Sequence, residues 1–521
     1  MAVSILTSVF FSFVILQSLG ACEQKTANIV FMPLPVANSP YFNTLALAEE
    51  MVDRGHKVSI LTTEFLRTRK GKVKHVDYQL PNRKLAQNID QLIGDVALNF
   101  GPISFLNVVK DSLQILLDSC FAMLQNNNTL KEIQDASMIV TISIMPCGYY
   151  IADLFDKPVV TLTTAAYFCI GHYTGAPSLP SNIPSAASRS TDEMTFLERT
   201  QNFINYKLRD IGMDFLVNYY FRELQYAYGM KSKGRFSELF GKTELIILPL
   251  DFAYQYAHPI MPNTFFVGPL LAKPPKELPE DIEKFMQSSG EHGVVLVSFG
   301  SSVCFMDGVI IKRILTAISR MKQKFIWKMK STTNLEIPAN LKAVKWLPQN
   351  DILGHEKTKA FVSHMGLNGA AEAAYHGVPT VAAPFTGERI QNALVFIKRA
   401  KMARFIDILN ADAETWQHTI EEVINNSSYK EHALMASKRM QSWPKSSAER
   451  AGDLVQYALD NGGRLPHLKS NANTLYWFQY YCVDVIALLL ALAVLLPLVI
   501  FKMLKFLLAL LWIHREKSKE D

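Results

Sequence analysis

The sequence predicts an α/β protein of two facing Rossmann-like domains followed by one C-terminal transmembrane helix. Three observations lead to this prediction. Short apolar runs alternate with helical patterns in both halves of the chain, as in parallel sheets whose strands are joined by helices. A proline-rich stretch, Pro269–Pro279, separates the two halves. A wholly apolar run, Val485–Phe501, has the composition and nearly the full length of a membrane span.

The N-terminus carries another apolar run. Residues Ile5–Leu16 are apolar or small, and small residues follow at Gly20 and Ala21, a pattern typical of a secretory signal. We therefore predict a signal peptide over residues 1–21. The alternative is a membrane-anchoring helix, but the run is shorter than the ~20 residues that a span requires.

Residues 22–267 are predicted to form the first α/β domain. A strand at Ala27–Met32, a helical stretch ending near Arg54 and a strand at Lys57–Thr62 make a βαβ unit. Further apolar runs have the pattern of parallel strands buried on both faces. They are Met138–Ile144, Val159–Leu162 and Leu245–Leu248.

Residues 268–290 are predicted to be an interdomain linker, because they combine prolines and charges with little apolar periodicity. Residues 291–484 would form the second α/β domain. A ligand cleft is expected where the carboxyl ends of the two sheets face each other. The strands of the second domain are predicted at Val294–Phe299, Phe325–Trp327, Ala343–Val344, Ala360–Val362 and Thr380–Ala382.

The transmembrane helix is predicted over residues 485–501, and apolar residues resume as far as 513. The tail, residues 502–521, is basic, so the positive-inside rule predicts a cytosolic tail and a lumenal body. Lys517 and Lys519 resemble a dilysine retrieval signal of endoplasmic-reticulum membrane proteins. The alternative is a basic flank that only stops transfer.

Composition excludes several classes of function. Lys plus Arg number 53 against 47 for Asp plus Glu, a net charge of +6, and aromatic residues do not interleave with basic runs, so no nucleic-acid partner is expected. The six cysteines form no CxxC pair, which indicates neither a zinc site nor a disulfide-dense scaffold. Glycosylation sequons at Asn127, Asn425 and Asn426 are compatible with a lumenal body.

The most informative segment follows the predicted strand that ends at Ser363. A turn containing His364 and Gly366 opens a helix there, and a helix N-terminus offers free N–H groups and a positive dipole end to an anion. A diphosphate fits such a site, with His364 as an added donor and Glu372 as an acceptor for ribose hydroxyls. Taken alone, the pattern is also compatible with ordinary loop glycines.

The pattern does not stand alone. Trp346-Leu-Pro-Gln349, His364-Met-Gly-Leu-Asn-Gly-Ala-Ala-Glu372 and His376-Gly-Val-Pro379 resemble the signature of the UDP-glucuronosyltransferase family. The resemblance extends through Gly175–Pro184 and Val297–Ser301 and covers essentially the whole chain. It implies a GT-B fold, with a UDP-sugar held by the C-terminal domain and a small lipophilic acceptor held by the N-terminal domain.

The resemblance also implies roles for individual residues. Trp346 would stack on uracil, although it could be a core residue, and Gln349 would support the base. Glu372 would hold the ribose, and Glu388 and Arg389 would lie at the sugar. The diphosphate would contact Ser301, His364, Gly366, Asn368 and Gly369.

Two departures affect the donor site. Met365 replaces a glycine of the family signature, so we expect a side chain where the backbone must approach phosphate. Glu388 and Arg389 replace an Asp-Gln pair that grips sugar hydroxyls. Because a guanidinium also suits a carboxylate or phosphate, the identity of the sugar cannot be transferred from the family.

A third departure affects catalysis. The family places a general-base His 16 residues before the His of Arg-Gly-His56, and this sequence has Pro40 there. The Asp that orients this base should lie five residues before Cys147, and this sequence has Ile142 there. Neither residue can accept a proton. His172 is a candidate substitute, although it could equally be a surface or core histidine.

The leading hypothesis is an inverting, metal-independent transferase that moves glucuronic acid or a hexose from a UDP-sugar to a small lipophilic acceptor in the endoplasmic-reticulum lumen. No Asp-x-Asp triplet occurs, so no metal and no cofactor are expected, with the UDP-sugar as co-substrate. The alternative is a catalytically impaired relative that binds UDP-sugar or regulates an active partner. A nucleotide-independent membrane scaffold is a weaker third hypothesis, and a homo- or hetero-oligomer is compatible with each.

Overall fold

The computed structural model describes most of the chain. The predicted signal peptide, Ser301 and Thr386–Gly387 lie outside the described part, as do the side chains of residues 102–105, 171–172, 210, 473–474 and 513–517. The described residues are 26–66, 68, 71–88, 102–163, 171–177, 179–185, 188–230, 235–300, 308–329, 332, 335–385 and 388–517.

The first sheet is parallel and has the strand order β3-β2-β1-β4-β5-β6-β7 within the described residues. Val30 of the central strand pairs with Ser59 on one side and Ile139 on the other. The central strands are buried because helices cover both faces, which explains their continuous apolar sequence. The strands are β1 Asn28–Met32, β2 Lys57–Thr62, β3 Lys74–Asp77, β4 Met138–Ile142, β5 Val159–Leu162, β6 Leu245–Leu248 and β7 Thr264–Phe266.

Helices cross over between the strands of this sheet. The helix after β1 buries an apolar face that includes Leu45 and Met51, and a disulfide joins Cys120 to Cys147 on two neighbouring helices. A 3₁₀-helix occupies Gly171–Thr174. The helices are α1 Asn38–Asp53, α2 Pro102–Gln125, α3 Asn127–Asp135, α4 Pro146–Leu154, α5 Phe196–Ala227 and α6 Phe236–Gly241.

The second sheet is also parallel, with the order β10-β9-β8-β11-β12-β13 in the described part of the chain. The chain moves outward from β8 in one direction and then returns to add β11 on its other side. The junction of β8 and β11 is therefore the topological switch point, where open α/β sheets bind ligands. The strands are β8 Val294–Ser298, β9 Lys324–Lys328, β10 Leu341–Val344, β11 Thr358–Ser363, β12 Thr380–Ala382 and β13 Ala403–Phe405.

One helix of the second half falls within the stretch predicted as a linker. This is Glu280–Gln287, which follows Pro279 and has three acidic residues in its first turn, where the helix dipole favours negative charge. The helices are α7 Glu280–Gln287, α8 Gly308–Ser319, α9 Gln349–Leu353, α10 Leu367–Tyr375, α11 Glu388–Leu394, α12 Ala413–Asn425, α13 Ser427–Gln441 and α14 Ser447–Asp460.

The last of these helices returns the chain to the first sheet. Arg54 at the end of α1 donates from Nε to Glu50 (2.8 Å) and from Nη2 to Asp453 of α14 (3.0 Å). The proline-rich connection is also held, because Asn350 exchanges two hydrogen bonds with the backbone of Lys273, at 3.1 and 3.0 Å. The chain therefore passes between the two α/β domains twice, first through the proline-rich connection and then at the return to the first sheet through α14.

Residues Ser470–Asp521 form a separate compact unit. It contains the short helix α15, Trp477–Tyr480, and the long helix α16, Val483–Lys517. The segment Val483–Trp512 is long and apolar enough to cross a membrane. This segment is longer than the predicted span of residues 485–501 and agrees with the apolar residues seen up to 513.

Candidate functional site

The candidate site lies at the switch point of the second sheet. Strand β11 ends at Ser363, and the turn 364–366 leads directly into α10. The neighbouring strand β8 ends at Ser298, and the chain continues from it to Gly300. Because the strands are parallel, both carboxyl ends open on the same edge of the sheet. Of the residues predicted from sequence to hold the diphosphate, His364, Gly366, Asn368 and Gly369 follow β11 at this edge.

The ring of His364 lies against two glycines. A Cβ atom at Gly300 would lie 2.7 Å from ring atoms, and one at Gly366 would lie 2.5 Å from Nε2. Gly300 also has φ +82°, which favours glycine. Both positions therefore need glycine to hold the imidazole at the strand tip.

His364 is neutral at physiological pH. Burial, together with the charges of Arg389 and Lys328, lowers its pKa to about 3. Its Nδ1 atom is buried and has no hydrogen-bond partner among the described residues. A buried, unsatisfied ring nitrogen at the switch point is a natural contact for a polar ligand.

Met365 differs from the expectation for its position. Its φ of 63° is left-handed, as a glycine would allow, but its side chain is fully buried in the hydrophobic core. Its N–H donates to Ser363 Oγ, and its carbonyl accepts from Asn392 Nδ2, both at 3.0 Å. The side chain expected at the phosphate approach instead packs inside the domain.

Helix α10 presents an uncapped N-terminus at the same edge. Its N-cap residue Gly366 supplies no side-chain hydrogen bond. A Cβ atom at Gly369 would lie 3.0 Å from Gln349 Nε2, so this glycine lets α9 approach α10 closely. The first turn of α10 thus offers backbone N–H groups and a positive dipole end without a side chain of its own to satisfy them.

The three residues predicted to contact the uracil base and the ribose are Trp346 in the loop before α9, Gln349 in α9 and Glu372 in α10. Gln349 Nε2 donates to Glu372 Oε2 at 2.6 Å. The pKa of Glu372 is raised to about 7, because burial raises it by more than the hydrogen bond from Gln349 lowers it. Trp346 is 60% exposed, so it is not a core residue and its ring face is available for stacking.

The Glu388-Arg389 pair begins α11. Burial raises the pKa of Glu388 and lowers that of Arg389, and each charge partly offsets the effect on the other. The charge of Arg389 also lowers the pKa of His364, so this guanidinium lies close enough to act on the imidazole. Both residues are half-buried.

The first α/β domain contacts the start of α10 directly. Asn368 Nδ2 donates to Ser39 Oγ at 2.9 Å, and Asn43 Nδ2 donates to Asn368 Oδ1 at 3.0 Å. Pro40 lies between these two partners in the first turn of α1, whose N-terminus also lacks a side-chain cap. Ile142 is the last residue of β4 and is buried. The two positions of the expected dyad thus lie at the carboxyl edge of the first sheet.

Sequence reasoning missed three residues that make interdomain contacts and one that acts within the second domain. Ser39 and Asn43 flank Pro40 at helical spacing, and the buried Gln391 donates to the carbonyls of Ser188 and Ser190 across the two domains. Asn392, next to Gln391, donates a hydrogen bond to the carbonyl of Met365 and so stabilises the turn there. Their closeness in sequence to Pro40 and Arg389 was the only available signal. The side chain of His172 and the whole of Ser301 lie outside the described residues.

Comparison with known proteins identifies the class to which this fold and site belong. The family model described as UDP-glucoronosyl and UDP-glucosyl transferase matches residues 29–518. The chain belongs to this family of UDP-glycosyltransferases. It is 31% identical over 515 residues to UDP-glucuronosyltransferase 2B33 of Macaca mulatta, covering 92% of this chain and 93% of the relative. It is 31% identical over 484 residues to human UDP-glucuronosyltransferase 2A3, covering 88% and 89%.

Solved structures support the fold. Medicago truncatula UGT71G1, solved with UDP-glucose, has a TM-score of 0.58 at 15% identity and covers 85% of this chain and 99% of its own. Phytolacca americana UGT2, solved with UDP-2-fluoro-glucose and pterostilbene, has a TM-score of 0.56 at 15% identity, covering 83% and 99%. The two α/β domains therefore have the GT-B arrangement.

Proposed function

We propose that this chain transfers glucuronic acid or a hexose from a UDP-sugar to a small lipophilic acceptor, with inversion and without a metal ion. One observation carries the proposal: His364, the N-terminus of α10 and the Gln349–Glu372 pair converge at the switch point of the second sheet. This arrangement offers an imidazole and free N–H groups to a diphosphate and a carboxylate to ribose hydroxyls.

Each donor residue then has a role. Trp346 stacks on uracil, Gln349 supports the base, and Glu372 accepts hydrogen bonds from the ribose. Glu388 and Arg389 contact the sugar. The diphosphate is held by His364, Asn368 and the backbone of Gly366 and Gly369, with Ser301 as a further contact expected from sequence.

Departure of UDP is assisted by dipoles in place of a metal. The sequence contains no Asp-x-Asp triplet, the usual carrier of a metal-bridged diphosphate. Among the described residues, no group of three or more His, Cys, Asp and Glu side chains is placed to hold a metal ion. The positive end of α10 and the imidazole of His364 stabilise the negative charge that develops on the β-phosphate.

The transfer is a single in-line displacement. The acceptor heteroatom attacks the anomeric carbon, the bond from that carbon to the β-phosphate oxygen breaks, and UDP leaves with the electron pair. The acceptor must also lose a proton, which neither Pro40 nor Ile142 can accept. Acceptors that attack before they lose a proton, such as amines, or that ionise easily, such as thiols, are therefore favoured over simple alcohols. His172 is the first candidate for a substitute base.

The span Val483–Trp512 anchors this enzyme in the endoplasmic-reticulum membrane with the body in the lumen. The apolar run at residues 5–16 and the basic tail support this orientation. A lipophilic acceptor dissolved in the bilayer is then close to the enzyme.

Incubation of the membrane-embedded protein with donors and acceptors tests the proposal. UDP-glucuronic acid, UDP-glucose and UDP-N-acetylglucosamine are each offered to phenols, alcohols, amines and thiols, and products are identified by mass spectrometry. We expect β-linked products from an α-linked donor, formed equally well with a chelator. UDP-sugar binding without any product would favour the catalytically impaired regulator. An absence of UDP-sugar binding would contradict both hypotheses.

A further inference from the structure

Asn43 of helix α1 has a side-chain oxygen that is buried and has no hydrogen-bond partner among the described residues. The whole residue is only 1% exposed. Its Nδ2 atom donates to Asn368 Oδ1 at 3.0 Å, and Asn368 Nδ2 donates to Ser39 Oγ at 2.9 Å. These two hydrogen bonds fix the plane of the amide, so Oδ1 has a defined direction. A buried carbonyl without a donor is uncommon in folded proteins and indicates a ligand that supplies one.

The position of Asn43 in α1 brings this oxygen to the face where the general base is missing. Pro40 and Asn43 are three residues apart in the helix and are therefore neighbours on one face. Side chains of a helix lean toward its N-terminus, so the amide of Asn43 lies over the turn that carries Pro40. The shared contact with Asn368 agrees with this placement, because Ser39 directly precedes Pro40.

The same contact connects Asn43 to the donor site. Asn368 is the second residue of α10, whose first turn holds the diphosphate in the proposed function. Asn43 therefore borders on both substrates, on the donor through Asn368 and on the acceptor through the face of Pro40. Because Asn368 belongs to the other domain, opening of the cleft uncovers the amide for an incoming acceptor.

The dipoles of this region determine what the oxygen can do. The N-termini of α1 and α10 both lack a side-chain cap, and α1 has no acidic residue in its first turn. Two positive dipole ends suit a departing diphosphate. They disfavour an attacking nitrogen, which becomes positive as its bond to carbon forms. The carbonyl of Asn43 presents a negative dipole end and offsets this effect.

We propose that Asn43 Oδ1 accepts a hydrogen bond from the N–H group of a primary or secondary amine as the amine attacks the sugar. This assignment rests on the proposed function and narrows its acceptor class. The nitrogen lone pair forms the bond to the anomeric carbon, and the bond from that carbon to the β-phosphate oxygen breaks, with its electron pair leaving on UDP. Nitrogen keeps its proton through this step and donates more strongly as positive charge develops. The proton passes to water after the transfer.

Two other kinds of acceptor gain less from Asn43. A tertiary amine has no N–H group to donate. An alcohol must lose its proton as it attacks, and an amide oxygen, unlike an imidazole or a carboxylate, takes up no proton near neutral pH. The hydrogen bond therefore favours amines that carry hydrogen over both of these classes.

Initial rates with two amines that differ by one methyl group test the role of Asn43. N-methylaniline has one N–H group and N,N-dimethylaniline has none, and both are largely unprotonated at neutral pH. Each is offered to the membrane-embedded protein with saturating UDP-glucuronic acid or UDP-glucose. Asn43→Leu keeps the volume and removes the oxygen. We expect its kcat to fall about 10-fold to 100-fold with N-methylaniline, the value of a hydrogen bond to a charged group, and less than about threefold with N,N-dimethylaniline.

Ser39→Ala is the matched control, because it also removes a partner of Asn368 but leaves Asn43 intact. It should change the two rates by equal factors. Asn43→Asp is an independent test, since it places a carboxylate that can take a proton at the same point. Its transfer to a phenol at pH 8 should rise about tenfold over the parent.

The outcomes separate this assignment from the proposed function. UDP-glucose binding verifies the folding of each variant, and Asn43→Asp decides the question if Asn43→Leu does not bind. Equal losses with both amines in Asn43→Leu would overturn the assignment, as would an unchanged phenol rate in Asn43→Asp. Products with phenols but none with N-methylaniline would overturn it as well. A parent that forms no product with any acceptor would contradict the proposed function itself.

Discussion

Met365 combines a left-handed backbone with a fully buried side chain. Its φ costs about 1 to 2 kcal/mol relative to glycine, whereas removal of a buried Met side chain costs about 2 to 5 kcal/mol. We expect Met365→Gly and Met365→Ala both to unfold more easily than the parent. Since glycine alone relieves the backbone, Met365→Gly should be more stable than Met365→Ala by about 1 kcal/mol. Denaturant titration of the detergent-solubilised protein measures this order, and the reverse order would contradict the strain.

Glu372 should couple donor binding to proton release. Its pKa of about 7 means that it is about nine-tenths protonated at pH 6. Ribose hydroxyls donate best to the ionised carboxylate, so binding lowers the pKa and releases close to one proton at pH 6 and almost none at pH 8. The affinity for UDP-glucose should accordingly rise with pH up to about 7. Calorimetry in buffers of different ionisation enthalpy measures the protons released.

Glu372→Gln is the control for this coupling, because it keeps the shape and removes the titration. Proton release that persists in Glu372→Gln would assign the titration to another group. Without donor, the raised pKa has the opposite consequence for folding. The folded state holds the proton between pH 4.5 and about 7, where the unfolded state has lost it, so stability falls as pH rises through this window.

At the scale of elements, the N-terminus of α10 lacks a side-chain cap, which lowers the stability of the helix but leaves its N–H groups free to bind an anion. Asn368→Asp places a negative charge in its first turn, which should favour the helix by about 0.3 to 1 kcal/mol. The same charge repels a diphosphate, so the affinity for UDP should fall by about tenfold or more. Calorimetric titration with UDP, together with thermal unfolding, measures both effects.

Asn126→Asp is the matched control, since Asn126 caps α3 through hydrogen bonds from the N–H groups of Asn128 and Thr129. It adds the same charge to a different helix N-terminus, and its UDP affinity should equal that of the parent. If Asn368→Asp binds UDP as tightly as Asn126→Asp does, α10 does not hold the diphosphate.

The elements also show what the sequence could predict. Central strands such as β5 and β12 were predicted with their observed bounds, because burial on both faces requires continuous apolar runs. Strand β3 was missed because it lies at the sheet edge and reads Lys-His-Val-Asp. Helix α5 was missed because apolar residues lie on both of its sides, exposed at Leu208 and Phe215 and buried at Val217 and Phe221, which removes the single-sided periodicity that identifies a helix.

In the candidate site as well, local sequence features predict some of the structure and not the rest. The turn at His364 follows from local features, a strand end and glycines, and was predicted. The hydrogen bonds of Asn368 with Ser39 and Asn43 join residues more than 300 positions apart in the sequence, and no local pattern encodes such pairs. The packing of Met365 was predicted wrongly, because residue type alone does not give the direction of a side chain.

At the scale of the whole molecule, the catalytic consequence of Pro40 and Ile142 can be tested by restoration. The double change Pro40→His with Ile142→Asp should raise transfer to alcohols or phenols by roughly tenfold or more, since a general base contributes about 100-fold to 10,000-fold. Either single change should do less, because the base needs an orienting partner and an unpaired buried Asp stays protonated. Initial rates with a phenol acceptor measure the effect.

Retained UDP binding is the folding control for this restoration, since Ile142 is buried. Transfer to alcohols by the parent, with a base that titrates near neutral pH and no gain in the double variant, would show that another residue acts as the base. His172→Ala would then be the first variant to examine.

The orientation of the whole chain in the membrane gives a further expected outcome. Protease added to sealed microsomes should trim only the tail that follows the span, Val483–Trp512, and should spare the body until detergent is added. Immunoblotting against each end of the chain measures the cleavage. Cleavage of the body in intact vesicles would place it on the cytosolic side.

The two chain crossings between the α/β domains determine how the cleft can open. The proline-rich crossing is held by the hydrogen bonds between Asn350 and the backbone of Lys273. The return crossing is held by the hydrogen bond from Arg54 to Asp453 of α14. A rigid body attached to another at a single point can rotate about three axes, but attachment at two separated points leaves only rotation about the line that joins them. We therefore expect the cleft to open mainly by rotation about this line. Such a rotation would bring Asn368 back to Ser39 and Asn43 in the same register each time the cleft closes.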